Sequence, residues 1–230
     1  MNVNGIPIFV IDPGPDHRGE LKEISTAQFQ PWPYGTRGLY TTQLNLDVAG
    51  LWGIDIAIED PNGDLRKVEL FFEVADASSA PPVGSVAIKS MSKTQSDVGP
   101  LAQLSTGSIQ DPDLYQMTIA DAVVSGTPTV VVFASPAFCT NVVCGPQVKV
   151  LQELKTAYKS QANFIHVDFY DNPDEIQGDL DKARISATVL EWRLPSNEWS
   201  FVIDREGTVS SRFEAFATLA ELEEALLQVL

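Results

Sequence analysis

The chain holds two cysteines, Cys139 and Cys144, separated by Thr140-Asn141-Val142-Val143. Two cysteines this close, with no third, fit either a redox pair or a single structural bridge, and they are too few for a four-cysteine zinc site. A redox pair does exchange chemistry. A thiolate attacks a disulfide sulfur, and a second thiol within reach resolves the mixed disulfide. Four intervening residues make a wide loop, which closes only if the backbone brings the two Cα atoms within about 7 Å. As a staple, a loop this short gains only about 2–3 kcal/mol from cross-linking in the chain-entropy picture. His166 sits inside the apolar run Phe164 to Phe169, and His17 lies in the N-terminal segment, read as a solvated loop. Asp168, Asp171, Asp174 and Glu175 would suit a calcium ion, or a solvated loop and helix start, and aspartate's preference for the first turn favours the second reading. Nothing in these spacings asks for a cofactor, and no metal-ligand set is assigned.

Positioning the cysteines takes a strand on one side and a helix on the other. Thr129 to Ala134 is β-branched and predicts a central strand, with a loop from Ser135 to Cys139. Pro146 opens a helix that carries Val148, Leu151, Leu154 and Tyr158 at helical spacing. Around these, Thr118 to Ser125 reads as a short helix ending at Gly126. Phe164 to Phe169 reads as a strand and Asp174 to Ala183 as helical. Glu198–Asp204 and Thr208–Phe213 form a hairpin, and Leu219, Leu222, Leu226 and Leu230 mark a closing amphipathic helix. The order β-α-β-α-β-β-α implies a mixed sheet with helices on both faces.

The first third reads as all-β. Leu44, Leu46 and Val48 alternate with polar residues, as do Trp52, Ile54, Ile56 and Ile58, and again Val68, Leu70, Phe72 and Val74. Asp60-Pro61-Asn62-Gly63-Asp64 between the last two runs predicts a hairpin. Ile6 to Ile11 is a further strand candidate, and Trp32 and Tyr34 either cover an edge or form a binding ridge. The pattern resembles the last strands of an immunoglobulin-like sandwich. Such a sandwich needs about seven strands and about four are counted. The expectation is therefore an incomplete β unit over 1–76, lacking its opening strands or completed by a second chain, which makes a homo-oligomer through this unit an alternative. Ala77-Ser78-Ser79-Ala80-Pro81-Pro82 starts a linker over 77–104 that hugs the second domain, 105–230.

A formal charge of -16 repels phosphate backbones and anionic headgroups, which excludes nucleic acid as a partner. No run approaches the ~20 apolar residues of a membrane helix. Met1-Asn2-Val3-Asn4 does not open a signal peptide. The expected location is extracytoplasmic, with the cytosol as the alternative.

The domain from about Ser105 to Leu230 resembles the thioredoxin superfamily. The likeness is carried by Val130-Val131-Val132-Phe133 running into Ala134-Ser135-Pro136-Ala137-Phe138-Cys139, by Asp168 and Asn172-Pro173, and by Trp192 through Phe201-Val202-Ile203-Asp204-Arg205-Glu206-Gly207. The resemblance implies exchange with protein thiols or disulfides, Cys139 attacking and Cys144 resolving. It implies substrate contacts from Pro136, Phe138, Asn197, Glu198 and Trp199. Cys144-Gly145-Pro146-Gln147 also resembles the family's nucleophile segment, with Gln147 at the resolving position, so the attacking residue stays open. Two departures matter. The family's buried carboxylate has only Val131-Val132-Phe133 to match it, and its cis-proline position holds Glu198, with Pro195 three residues earlier. A non-proline bond prefers trans by about 2.5–4 kcal/mol, and a Glu198 charge facing the pair would disfavour a thiolate. Both argue against a fast general reductase. Copper-delivering Sco-type relatives add a histidine ligand beside the substrate segment, where Ser196-Asn197 offer none. Three functions therefore stand: exchange, a non-enzymatic binding or scaffold module at a cell surface with a structural disulfide, and a Sco-type carrier.

Overall fold

Alternating apolar residues need a sheet to face, and the N-terminal runs find one. The computed structural model describes residues 6–12, 19–31, 38–59, 62–108, 110–138 and 144–230, and the chain divides into two compact units, Met1–Ser78 and Ser79–Leu230. The first unit is all-β. Strands β1 (Ile6–Asp12), β2 (Glu20–Pro31), β3 (Gly38–Thr41), β4 (Gly50–Glu59) and β5 (Leu65–Val74) form one sheet of order β3-β2-β1-β4-β5, with every neighbouring pair antiparallel. The hairpin between β4 and β5 is paired without a shift from Gly50–Val74 to Glu59–Leu65, and Gly63 takes a φ of +87° in its turn. β2 and β3 are additional to the strands expected, and a second sheet, which a sandwich requires, is not found among the described residues.

The Leu44–Val48 run is not a strand. It crosses the sheet as an extended strap, and Leu44 and Leu46 pack against Ala27 and Trp52. Trp52 Nε1–H donates to Val48 O at 2.8 Å and Asn45 N–H to the Glu23 carboxylate at 2.9 Å, which ties down the strap. Period two holds equally for a strand in a sheet and for an extended segment lying on one, so alternation could not separate them. His17, Trp32 and Tyr34 lie outside the described residues.

The second unit begins earlier than the expected boundary. From Ser79 onward, the 77–104 segment read as a linker belongs to it. Ala80 and Ala87 are buried, Gly84 N–H donates to Val209 O, Ala87 N–H donates to Gly207 O, and Ser90 Oγ accepts from Trp192 Nε1–H at 3.0 Å. There follow α1 (Ile119–Val123), β6 (Thr129–Phe133), α2 (Cys144–Tyr158), β7 (Asn163–Val167), α3 (Pro173–Ile176), α4 (Ala187–Glu191), β8 (Trp199–Ile203), β9 (Val209–Glu214) and α5 (Leu219–Leu227). The sheet order is β7-β6-β8-β9, with β7 parallel to β6 and β8 and β9 antiparallel. This is the mixed thioredoxin-like sheet that the resemblance implies.

Both of its faces are covered. Leu151 and Leu154 of α2 and Leu222 and Leu226 of α5 pack with Val132 and Val202 on one face. Ile119, Val189 and Trp192 pack with Phe133 and Phe201 on the other. Burial on both faces explains why β6 reads as an unbroken apolar run. The helix expected over Asp174–Ala183 is instead the single turn α3 and a 3₁₀ turn, Leu180–Lys182, because Gln177 (φ 46°) and Gly178 (φ 85°) adopt left-handed backbone between them. α4 has no counterpart in the expected elements.

Candidate functional site

The C-terminal end of β6 feeds the connection that carries both cysteines. Cys139 lies outside the described residues, as do Thr140 to Val143, and Cys144 is the first residue of α2. The structure does describe the entrance to that connection, Ala134 to Phe138, and what holds it.

Ser135 is fully buried, and its hydroxyl lies 3.1 Å from Thr106 Oγ1. Thr106 Oγ1 also accepts from Ala137 N–H at 3.2 Å. Thr106 in turn donates twice to Asp168 Oδ2, from its backbone N–H at 2.7 Å and from its hydroxyl at 2.9 Å, while Asp168 Oδ1 accepts from Tyr170 N–H at 3.1 Å. A Cβ on Gly107 would meet Pro136 Cγ at 3.3 Å, so the Thr106 turn is pressed against the entrance loop. Phe138 meets Tyr170 edge to face at 6.4 Å between ring centres. Asp168 is thus the anchor of the loop entrance. Its burial pushes the carboxyl up to about 6, against hydrogen bonds that favour the anion.

His166, one strand pleat earlier on β7, is fully buried. Its Nε2–H donates to Ala134 O at 3.0 Å, because a carbonyl can only accept, and its Nδ1 accepts from Tyr115 Oη–H at 2.6 Å. Burial lowers its pKa to about 4, so the ring is neutral at physiological pH. Both ring nitrogens are occupied, which leaves neither for a metal. The acidic cluster does not converge either. Asp168 serves the loop, Asp171 pairs with Lys93 at 2.7 Å, Glu175 pairs with Arg184 at 2.9 Å, and Asp174 is exposed. Among the described residues no group of three His, Cys, Asp or Glu could hold a metal ion.

On the other side of β6, Phe133 pairs with Trp199, so Glu198 stands one residue beyond, level with Ala134. Strand alternation puts Glu198 with Ser200 and Val202 on the face that α2 covers. It is 1% exposed, and burial raises its carboxyl to about 7. The peptide bond before it is not cis, since no cis bond occurs among the described residues. On the same α2 side, Gln147 is fully buried and its Oε1 accepts from Ala217 N–H at 2.8 Å, clamping α2 to the residues before α5. Gln147 Nε2 and Ser200 Oγ are buried with no hydrogen-bond partner among the described residues. The face beneath the first turn of α2 is therefore polar within an otherwise apolar cluster.

The substrate-contact residues inferred from the resemblance are divided by the structure. Pro136, Phe138 and Asn197 are half-buried and reachable. Trp199 is buried, stacked on Phe201 with ring centres 5.8 Å apart, and donates through Nε1–H to Ser196 Oγ. It is core, on the opposite face from Glu198, and Trp192 is core as well. Glu198 is likewise beneath the surface. The sequence reading missed Thr106, Ser135 and Tyr115, and gave Asp168 no role under the loop. The sequence marks Asp168 as a landmark of the resemblance and as part of an acidic cluster, and its place two residues after His166 sets both on one face. Thr106 bonds to it across 62 residues of sequence and left no signal.

No family model matches the chain, and no curated protein matches it. Among solved structures it is similar to a chloroplastic thioredoxin z, at 18% identity over 47% of this chain and 84% of that one, with a TM-score of 0.36. It is also similar to a thioredoxin-like protein solved in solution in its oxidised form, at 14% identity over 56% of this chain and 95% of that one, TM-score 0.40. A thiol:disulfide interchange protein of the thioredoxin family from Chlorobium tepidum TLS matches at 15% identity over 67% of this chain and 99% of that one, TM-score 0.38. The thioredoxin-like character of the second unit rests on its own strand order.

Proposed function

We propose that Cys139 and Cys144 exchange disulfides with protein partners in an extracytoplasmic compartment. The observation that carries this reading is the place of the pair: both cysteines lie in the connection from central strand β6 to α2, and Cys144 opens that helix. Unpaired N–H groups and the positive end of the helix dipole lower the pKa of a thiol at the first residue of a helix, which keeps Cys144 ready as the resolving thiolate. The Cys139 thiolate attacks one sulfur of the partner's disulfide, and the other sulfur leaves as a thiolate that takes up a proton. The Cys144 thiolate then attacks Cys139 Sγ in the mixed disulfide and releases the partner's second sulfur. The partner gains two thiols, and the pair becomes a disulfide. Asp168, which titrates near pH 6 and anchors the entrance of this connection, is the buried group suited to accept and return a proton there. Pro136, Phe138 and Asn197 would border the partner's chain.

The test is insulin reduction and the rate of exchange with glutathione, in the parent and in Cys139→Ser and Cys144→Ser. Cys139→Ser should abolish both, and Cys144→Ser should accumulate the mixed disulfide. No cysteine-dependent activity, together with a lower melting temperature in Cys139→Ser, would support the second reading, a binding or scaffold module with a structural bridge. The exposed apolar side chains of the Met1–Ser78 sheet favour that second reading.

A further inference from the structure

β5 is an edge strand of an unusual kind. Among the described residues it pairs only with β4, and it does so over its whole length without a bulge. It contains no proline, and its apolar side chains are open: Leu65 is 59% exposed, Val68 40%, Leu70 49% and Phe71 64%. Long, flat, apolar edges invite pairing with another strand, and proteins blunt the ones they do not use.

We infer that β5 pairs with β5 of a second copy, antiparallel and centred on Leu70, joining two five-stranded sheets into one. The sequence of the strand, Leu65-Arg66-Lys67-Val68-Glu69-Leu70-Phe71-Phe72-Glu73-Val74, is self-complementary in that register. Lys67 of each copy opposes Glu73 of the other, Val68 opposes Phe72, and Leu70 meets its own copy at the two-fold axis. Directly opposed residues in an antiparallel pair share a face. Val68, Leu70 and Phe72 already share a face with Ile56, Ile54 and Trp52, their partners on β4. The apolar face would therefore run unbroken across the axis, with the opposite charges on the other face. The two neighbouring registers that keep the faces aligned put Glu69 opposite its own copy or opposite Glu73. A third, pairing Lys67 with Glu69, shortens the overlap and strands Phe72 and Val74. The occupant is thus a second copy rather than a foreign strand, and the contact is isologous and closes as a dimer.

The experiment is sedimentation equilibrium of the full chain over roughly 1–100 μM, with a reductant present so that cysteine cross-links do not contribute. The parent should dimerise. Lys67→Glu and Glu73→Lys, both at exposed positions, turn two attractive pairs into repulsive ones and should each weaken the dimer roughly tenfold. Mixing the two variants should restore association as a heterodimer, and the double variant should dimerise like the parent. Glu69→Lys, opposite Phe71 in this register, should change the affinity by less than about twofold. A monomeric parent, charge variants without effect, or Glu69→Lys as the disruptive substitution would each overturn the inference.

Discussion

The sheet of Ser79–Leu230 is buried on both faces, whereas burial in the sheet of Met1–Ser78, among the residues whose exposure is described, centres on one patch, Ala27 and Trp52. Every residue of β6 and β8 is buried, while β5 has no buried residue at all. Connectivity is the cause. In the second unit, α2 crosses from β6 to β7 and α4 lies in the connection from β7 to β8, while α1 and α5 flank the sheet in sequence, and together they bring cover to both faces where apolar side chains need it. In the first unit, neighbouring strands lie side by side without helices, and the β3–β4 connection, the strap carrying Leu44 and Leu46, is the one covering segment among the described residues. A sheet covered by a single strap thus leaves apolar surface for a partner, and a sheet covered by helices on both faces leaves a core that can tolerate a buried polar site.

If that contrast holds, the largest effect should come from Trp52→Ala. Among the described residues of the first unit, Trp52 and Ala27 form its buried cluster, and truncating a buried tryptophan costs about 3–5 kcal/mol, which is a large share of a small unit's stability. Calorimetry should show the Met1–Ser78 transition lost and the other retained. Loss of both together would mean that the two units do not melt independently.

A smaller effect, confined to the second unit, is expected from Glu198→Gln. A carboxyl raised from 4.5 to about 7 keeps its proton in the folded state while the unfolded chain loses it. Stability therefore falls as pH rises from about 4.5 to 7 and is flat above. Glutamine removes that loss, so the variant should gain up to about 3 kcal/mol at pH 8 and little at pH 4. Denaturant titrations at the two pH values would show it, and an equal change at both would mean the carboxyl is not titrating. The smallest effect should come from Arg184→Ala. Its pair with Glu175 is more than half exposed on both sides, so the loss should stay under about 1 kcal/mol.

Much of this organisation was legible in the residues. β4, β5 and β6 announced themselves by alternation or by a β-branched run, and Gly126 marked the stop of the helix that begins at the Thr118 cap. β2 escaped because Leu21, Ile24, Ala27 and Phe29 keep no strict period of two. α3 was overextended because two left-handed residues, one of them not glycine, interrupt it. Trp199 entered the substrate contacts through the resemblance alone, although core packing is the default for a tryptophan, because a tryptophan beside a loop is common to grooves and cores alike.

Strands β4 to β9, the β4–β5 and β8–β9 hairpins and the place of Cys139 and Cys144 at the passage from β6 into α2 follow from the sequence itself, since periodicity, caps and turn residues act over a few neighbours. Which carboxyl groups lie near that connection did not. Asp168 reaches Thr106, and Glu198 is buried level with Ala134, only because parallel β7 and antiparallel β8 flank the same end of β6. Burial then sets where those groups titrate. Proximity between residues far apart in the chain is a property of the packed sheet, and no local pattern encodes it.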